Sequence, residues 1–276
     1  MIHSRHRTGR HASRHRHGLT LIPVDRTARR ETFMHRHGTE NLHHKLDPPF
    51  GRSSRRTTSK VLIVAAHPDD EILGGGATYA KRLARGDSVH AVVMCEGESV
   101  RYTSQGRNVG QQEHAKNAAK TLGFTSFRCL KMPDQRLDAC SQIDLNTRLE
   151  AILDELRPAV VYTHCPGDIN RDHQVTHESV MVATRPGRSF IREVFGFETP
   201  STTGLWNTHS FTPDTFEIID ETLEKKLAAM ACYETETNTF PHPRSVESLR
   251  HRAYYWGNMI QRVAAEPFMT LRRIHQ

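Results

Sequence analysis

The stretch VLIVAAHPDDEILGGGA, residues 61–77, constrains this chain more than any other: an apolar run ends in His67, Asp69, Asp70 and Glu71, then three glycines. An unalternated run of Val, Leu, Ile and Ala is the pattern of a strand buried on both faces. Ionised carboxylates left unpaired where such a strand ends are strongly destabilising. Their charge therefore calls for compensation, and a cation is the simplest kind. A helix cap alone would need one such side chain; this turn holds four.

Beyond Lys60 the pattern repeats. Residues 61–66, 88–95, 125–132 and 159–164 read as strands, and 74–85, 111–122 and 144–156 as helices stopped by Gly86, Gly123 and Pro158. Later strands are expected at 190–198 and 215–220, followed by helices near 220–232 and 245–265. Apolar strands divided by helices predict an α/β fold, a Rossmann-like three-layer sandwich with a mostly parallel sheet, over residues 58–276. Ligands bind beyond the carboxyl ends of strands in such sheets. That rule selects the loops at 67–76, 95–110, 132–140 and 164–174.

Residues 1–57 read differently, as a disordered His/Arg-rich tail. Residues 1–59 hold 13 Lys and Arg against 4 Asp and Glu, leaving 25 against 27 for the rest, so the net +7 belongs to the tail. A nucleic-acid-binding domain should carry its positive charge on the folded unit, so no nucleic-acid partner is expected. The tail reads as a solvated segment or an over-extended start with translation beginning at Met34, and its deletion is expected to leave activity intact. No apolar run approaches the roughly 18 residues of a membrane span. Five dispersed cysteines without a CxxC pair suit a reducing, cytoplasmic setting.

Two of the selected loops carry metal-ligand chemistry. Pro68 biases His67 toward extended backbone, and the turn after it lets His67 and Asp70 project toward one point. Just past the fourth strand, THCPGDINRDHQVTHES (163–179) holds His164, Asp168, Asp172, His173, His177 and Glu178. Two imidazoles and one carboxylate around an open fourth position make the ligand set of a hydrolytic zinc centre. His67, Asp70 and His173 are thus the expected ligands of Zn2+ or another divalent ion. Asp69 is left as general base for water and Asp172 as the partner that orients an imidazole. Glu71 and His177 are expected in supporting roles.

AHPDDE followed by GGG, with GDINRDH about a hundred residues later, resembles the PIG-L/LmbE superfamily of zinc-dependent N-deacetylases. The resemblance runs over residues 58–265 and includes PDQRLD (133–138), ATRP (183–186) and PHPRS (241–245). It implies zinc on His67, Asp70 and His173, with Asp69 as base and an acyl group removed from a GlcNAc-type amino sugar or glycoconjugate. Many members carry a histidine three residues before the last ligand; here that position is Asn170. Asn donates to an oxyanion but is no acid. The acid role falls to His164, to His242, or to Asp69 once it holds the water's proton. Arg101, Asp134, Arg136, His242 and Arg244, with Arg107 and Glu113, are the expected substrate contacts. Relatives often assemble, so a homo-oligomer is expected. Two other functions compete: a metal-dependent amidase on a thiol conjugate or other non-sugar amide, and a non-catalytic metal or polyanion binder working through the tail.

Overall fold

The computed structural model describes residues 58–97, 110–204 and 211–275. The basic tail and the expected contacts Arg101 and Arg107 lie outside the described residues. Strands β1 (Lys60–Ala65), β2 (Ser88–Cys95), β3 (Ser126–Met132), β4 (Val160–His164) and β5 (Glu193–Phe197) run parallel. Strand β7 (Ala265–Arg273) runs antiparallel to both β5 and β6 (Thr215–Ile218), completing one seven-stranded sheet in the order β3-β2-β1-β4-β5-β7-β6.

Strand alternation divides the core. Leu62 and Val64 of β1 pack with α3 (Gln142–Leu156) and α4 (Arg171–Ala183), while Val61, Ile63 and Ala65 face the opposite side. That side is covered by α1 (Asp70–Ala84), α2 (Gln111–Leu122), α5 (Leu223–Met230) and α6 (Val246–Met259). The result is the expected three-layer sandwich with a mostly parallel sheet. Among the described residues no helix is long and apolar enough to cross a membrane.

Two local expectations change. Residues 265–273 form β7, where no strand was expected; Pro267 interrupts the run and argues against a strand in sequence. Helix α1 begins at Asp70 rather than at Gly74, so the three glycines lie inside it. They sit at a break: Gly75 leaves the helical region, with φ −170°. The break frees backbone groups, and a buried ion pair from the C-terminal elements satisfies them. Glu266 accepts from the amides of Ala77 (3.3 Å) and Thr78 (2.7 Å), while Lys226 donates to Leu73 O (2.8 Å) and to Glu266 (2.6 Å). At Gly74 a Cβ would stand 2.3 Å from the Phe197 ring, so glycine is what lets α1 approach β5 this closely.

Chain order reverses between β1 and β4: β1 leads outward to β2, and the chain returns to β4 on its other side. This is the switch point at which open α/β sheets bind ligands. His67 follows the end of β1 and His164 ends β4.

Candidate metal centre

The loop after β1 is held from both sides. Ala66 accepts from the Cys95 amide (2.9 Å) and donates its own to His164 Nε2 (2.9 Å). Asp69 has φ +105°, a region that side chains other than Asn, Asp and Gly rarely occupy, and is buried. Glu71 secures that turn: its carboxylate accepts the Asp69 amide (3.1 Å) and the Tyr233 hydroxyl. Burial pushes the Glu71 carboxyl up to about 7, against the opposing pull of the Tyr233 hydrogen bond.

Three side-chain atoms converge at the switch point. His67 Nδ1, Asp70 Oδ2 and His173 Nε2 lie 3.2 Å from one another along all three edges. Their partners assign the protons. His67 Nε2 faces Asp172 Oδ2 at 3.1 Å and Asp134 Oδ1 at 3.3 Å, so it carries the hydrogen and leaves Nδ1 as a lone pair. His173 Nδ1 lies 3.1 Å from Asp168 Oδ2, which likewise leaves Nε2 as a lone pair. Two nitrogen lone pairs and a carboxylate oxygen therefore face one another. Asp70 Oδ1 is buried and has no hydrogen-bond partner among the described residues.

This arrangement fits a divalent ion. Bonds of about 2.0–2.1 Å at tetrahedral angles place neighbouring donors about 3.3 Å apart, close to the observed 3.2 Å. The electrostatics agree. Burial opposes charge on His67, yet the carboxylates of Asp172 and Asp70 beside its ring raise its pKa well above the ordinary value. His173 is raised too, because the charges of Asp70 and Asp168 outweigh burial. A field that draws protons onto buried imidazoles also draws in a cation.

The remaining expected residues take varied places. Asp69 Oδ2 pairs with Arg244 Nη1 at 2.8 Å, and that guanidinium also reaches Glu236 (3.0 Å) and Ser201 (3.2 Å). Arg244, expected as a substrate contact, lies against Asp69. Burial pushes the Asp69 carboxyl well above its ordinary value, with Arg244 pulling the other way. Asp172 Oδ1 accepts the Leu137 amide (3.0 Å), fixing the carboxylate that faces His67. Asp134 joins that same edge, together with the Gln135 amide, 3.1 Å from His67 Nε2.

Asn170 and His164 also make structural contacts. Asn170 caps α4, its Oδ1 accepting the Asp172 amide at 2.9 Å. His164 is fully buried, stacked on His173 with ring centroids 4.0 Å apart. Its Nε2 accepts the Ala66 amide, and burial together with the nearby His173 holds its pKa well below the ordinary value. Its other ring nitrogen, Nδ1, lies 3.2 Å from the Thr199 hydroxyl, so both nitrogens are partnered and the ring braces the loop after β1. His242 is exposed and accepts the Arg244 amide (3.1 Å), shaping its own loop. Arg136 and Glu113 are exposed, and His177 donates to the His164 carbonyl (2.8 Å).

Sequence reasoning gave no role to Asp168, which the hydroxyls of Thr202 (2.8 Å) and Thr203 (2.7 Å) hold toward His173. Its place five residues before a ligand was the available signal. Tyr233 and Glu236 left none.

The sequence model of the PIG-L family, described as GlcNAc-PI de-N-acetylase, matches residues 62–184 and so spans all three converging residues. An uncharacterized deacetylase of Escherichia coli K12, YaiS, is 33% identical over 187 residues, covering 64% of this chain and 92% of that protein. The chain belongs to the PIG-L family. A second relative, the diacetylchitobiose deacetylase of Thermococcus kodakarensis, is 25% identical over 233 residues, 79% of this chain and 83% of its own length. Among solved structures, the 4-carboxy-2-hydroxymuconate hydratase of Pseudomonas putida KT2440 superposes with a TM-score of 0.64 at 22% identity, over 79% of this chain and 99% of that one. Likeness at that identity carries the fold alone, and a PIG-L-like fold by itself does not fix the reaction.

Proposed function

We propose that this chain is a metal-dependent hydrolase that removes an acyl group, acetyl foremost, from the nitrogen of a GlcNAc-type amino sugar or glycoconjugate. The observation that carries the reading is the triangle of donor atoms, with the buried Asp69 carboxylate on the residue next to Asp70. The deacetylase relatives, one acting on diacetylchitobiose, support the substrate class.

His67 Nδ1, Asp70 Oδ2 and His173 Nε2 would hold the ion, with zinc the best match to a two-imidazole, one-carboxylate set. Bound there, it would polarise the amide carbonyl and make a water acidic enough to attack. Asp69 takes that water's proton, and its burial favours a carboxyl able to hold it. His164 holds its Nε2 on the Ala66 amide, which favours Asp69 over His164 as the group that returns the proton to the leaving amine. Arg244 fixes one carboxylate oxygen throughout.

The test is release of acetate from a panel of N-acetylated amino sugars, glycoconjugates and thiol-conjugate amides by zinc-loaded protein. Acetate is expected from the sugar members. Asp69→Asn should keep its zinc and lose about 10²–10⁴-fold in kcat. No release from any sugar, or a near-normal rate in that variant, would overturn the reading.

A further inference from the structure

The second nitrogen of His67 lies in a different chemical setting from the first. Around Nε2 stand Asp172 Oδ2 (3.1 Å) and Asp134 Oδ1 (3.3 Å), and Cys95 Sγ donates to the same Asp172 oxygen at 3.5 Å. One ligand atom from each of His67, Cys95, Asp134 and Asp172 lies within 4.8 Å of the others. Three separate parts of the sheet edge supply them besides His67. Cys95 ends β2, Asp134 lies in the loop after β3, and Asp172 lies in the first turn of α4. The group is sealed on the Cys95 side, at 0% exposure, and reachable past His67 and Asp134, whose side chains are 13% and 7% exposed.

We propose that His67 Nε2, Cys95, Asp134 and Asp172 form a second metal site, distinct from the donor triangle, that takes thiophilic divalent ions such as cadmium. A thiolate, an imidazole nitrogen and two carboxylates make a mixed set in which sulfur decides the preference. Hard ions such as magnesium or calcium gain nothing from it. On binding, the Cys95 S–H and the His67 Nε2–H each lose their proton to solvent, and sulfur–metal and nitrogen–metal bonds form with no change of oxidation state. Gln135, exposed and 3.1 Å from Nε2, turns aside. Occupation converts Asp172 from the group that orients His67 into a ligand of another ion. A thiophilic ion therefore disturbs the donor triangle without entering it. The site does not depend on which acyl substrate the protein uses.

The experiment is titration of the zinc-loaded full chain with cadmium chloride, following the ultraviolet thiolate-to-cadmium charge-transfer band and metal content after gel filtration. One cadmium per chain is expected to bind with that band while zinc stays. Cys95→Ser and Cys95→Ala should lose the band, and Cys232→Ser, altering a thiol on the opposite layer, should keep it. Asp134→Asn should weaken cadmium retention about tenfold or more, and it reports even if the Cys95 variants fail to fold. An undiminished band in Cys95→Ser, no band in the parent protein, or cadmium that merely replaces zinc one for one would each overturn the proposal.

Discussion

The parallel part of the sheet and its antiparallel end do different work. Strands β1 and β4 and the turns after them supply His67, Asp70 and His173, together with the carboxylates that orient the two rings. The C-terminal elements supply Lys226 and Glu266 at the α1 break, Tyr233 beneath Glu71, and Arg244 on Asp69. One region grips and the other braces. Ion binding and the stability of the α1 break should therefore respond to different substitutions, and variants in each region test that separation.

The largest effect belongs to the grip. His173→Ala removes one of three donors and should abolish stoichiometric metal, measured by elemental analysis, while the circular dichroism spectrum stays that of the parent. Next comes the brace. Lys226→Met strands the buried Glu266 without its cation, and loss of one partner of a buried pair costs about 3–5 kcal/mol. Chemical denaturation should show that loss with one metal per chain retained. A folded Lys226→Met protein without metal would break the division. A smaller effect is expected from Asp172→Asn, which frees the His67 ring to turn and should weaken metal affinity about 10–100-fold. Smallest is His242→Ala, whose exposed ring accepts the Arg244 amide; stability should stay within about 0.5 kcal/mol.

The same division explains what the sequence disclosed. His67, Asp69 and Asp70 share one turn, and Asp172 and His173 are adjacent, so their chemistry is written in short motifs after apolar strands. Strands β1, β2 and β4 were legible for the same reason, since burial on both faces leaves an uninterrupted apolar run. The bracing contacts join residues 153 to 189 positions apart, as in Leu73–Lys226, Tyr233–Glu71, Arg244–Asp69 and Ala77–Glu266. No local pattern encodes such pairs. Strand β7 was hidden by Pro267, and the true start of α1 by glycines whose break another part of the chain repairs. Arg244 shows the limit most clearly: its loop suggested a residue turned toward substrate, and only the fold reveals the carboxylate it meets.

The backbone turn at Asp69 carries an evolutionary consequence. With φ at +105° and ψ at −32°, the position lies where residues other than glycine seldom sit, and most replacements would shift the loop that presents His67 and Asp70. Asn, of the same shape as Asp, would still offer Arg244 an oxygen while lacking the capacity to accept a proton. Under the proposed chemistry, a catalyst and an ion-dependent receptor for the same molecules would stand one substitution apart.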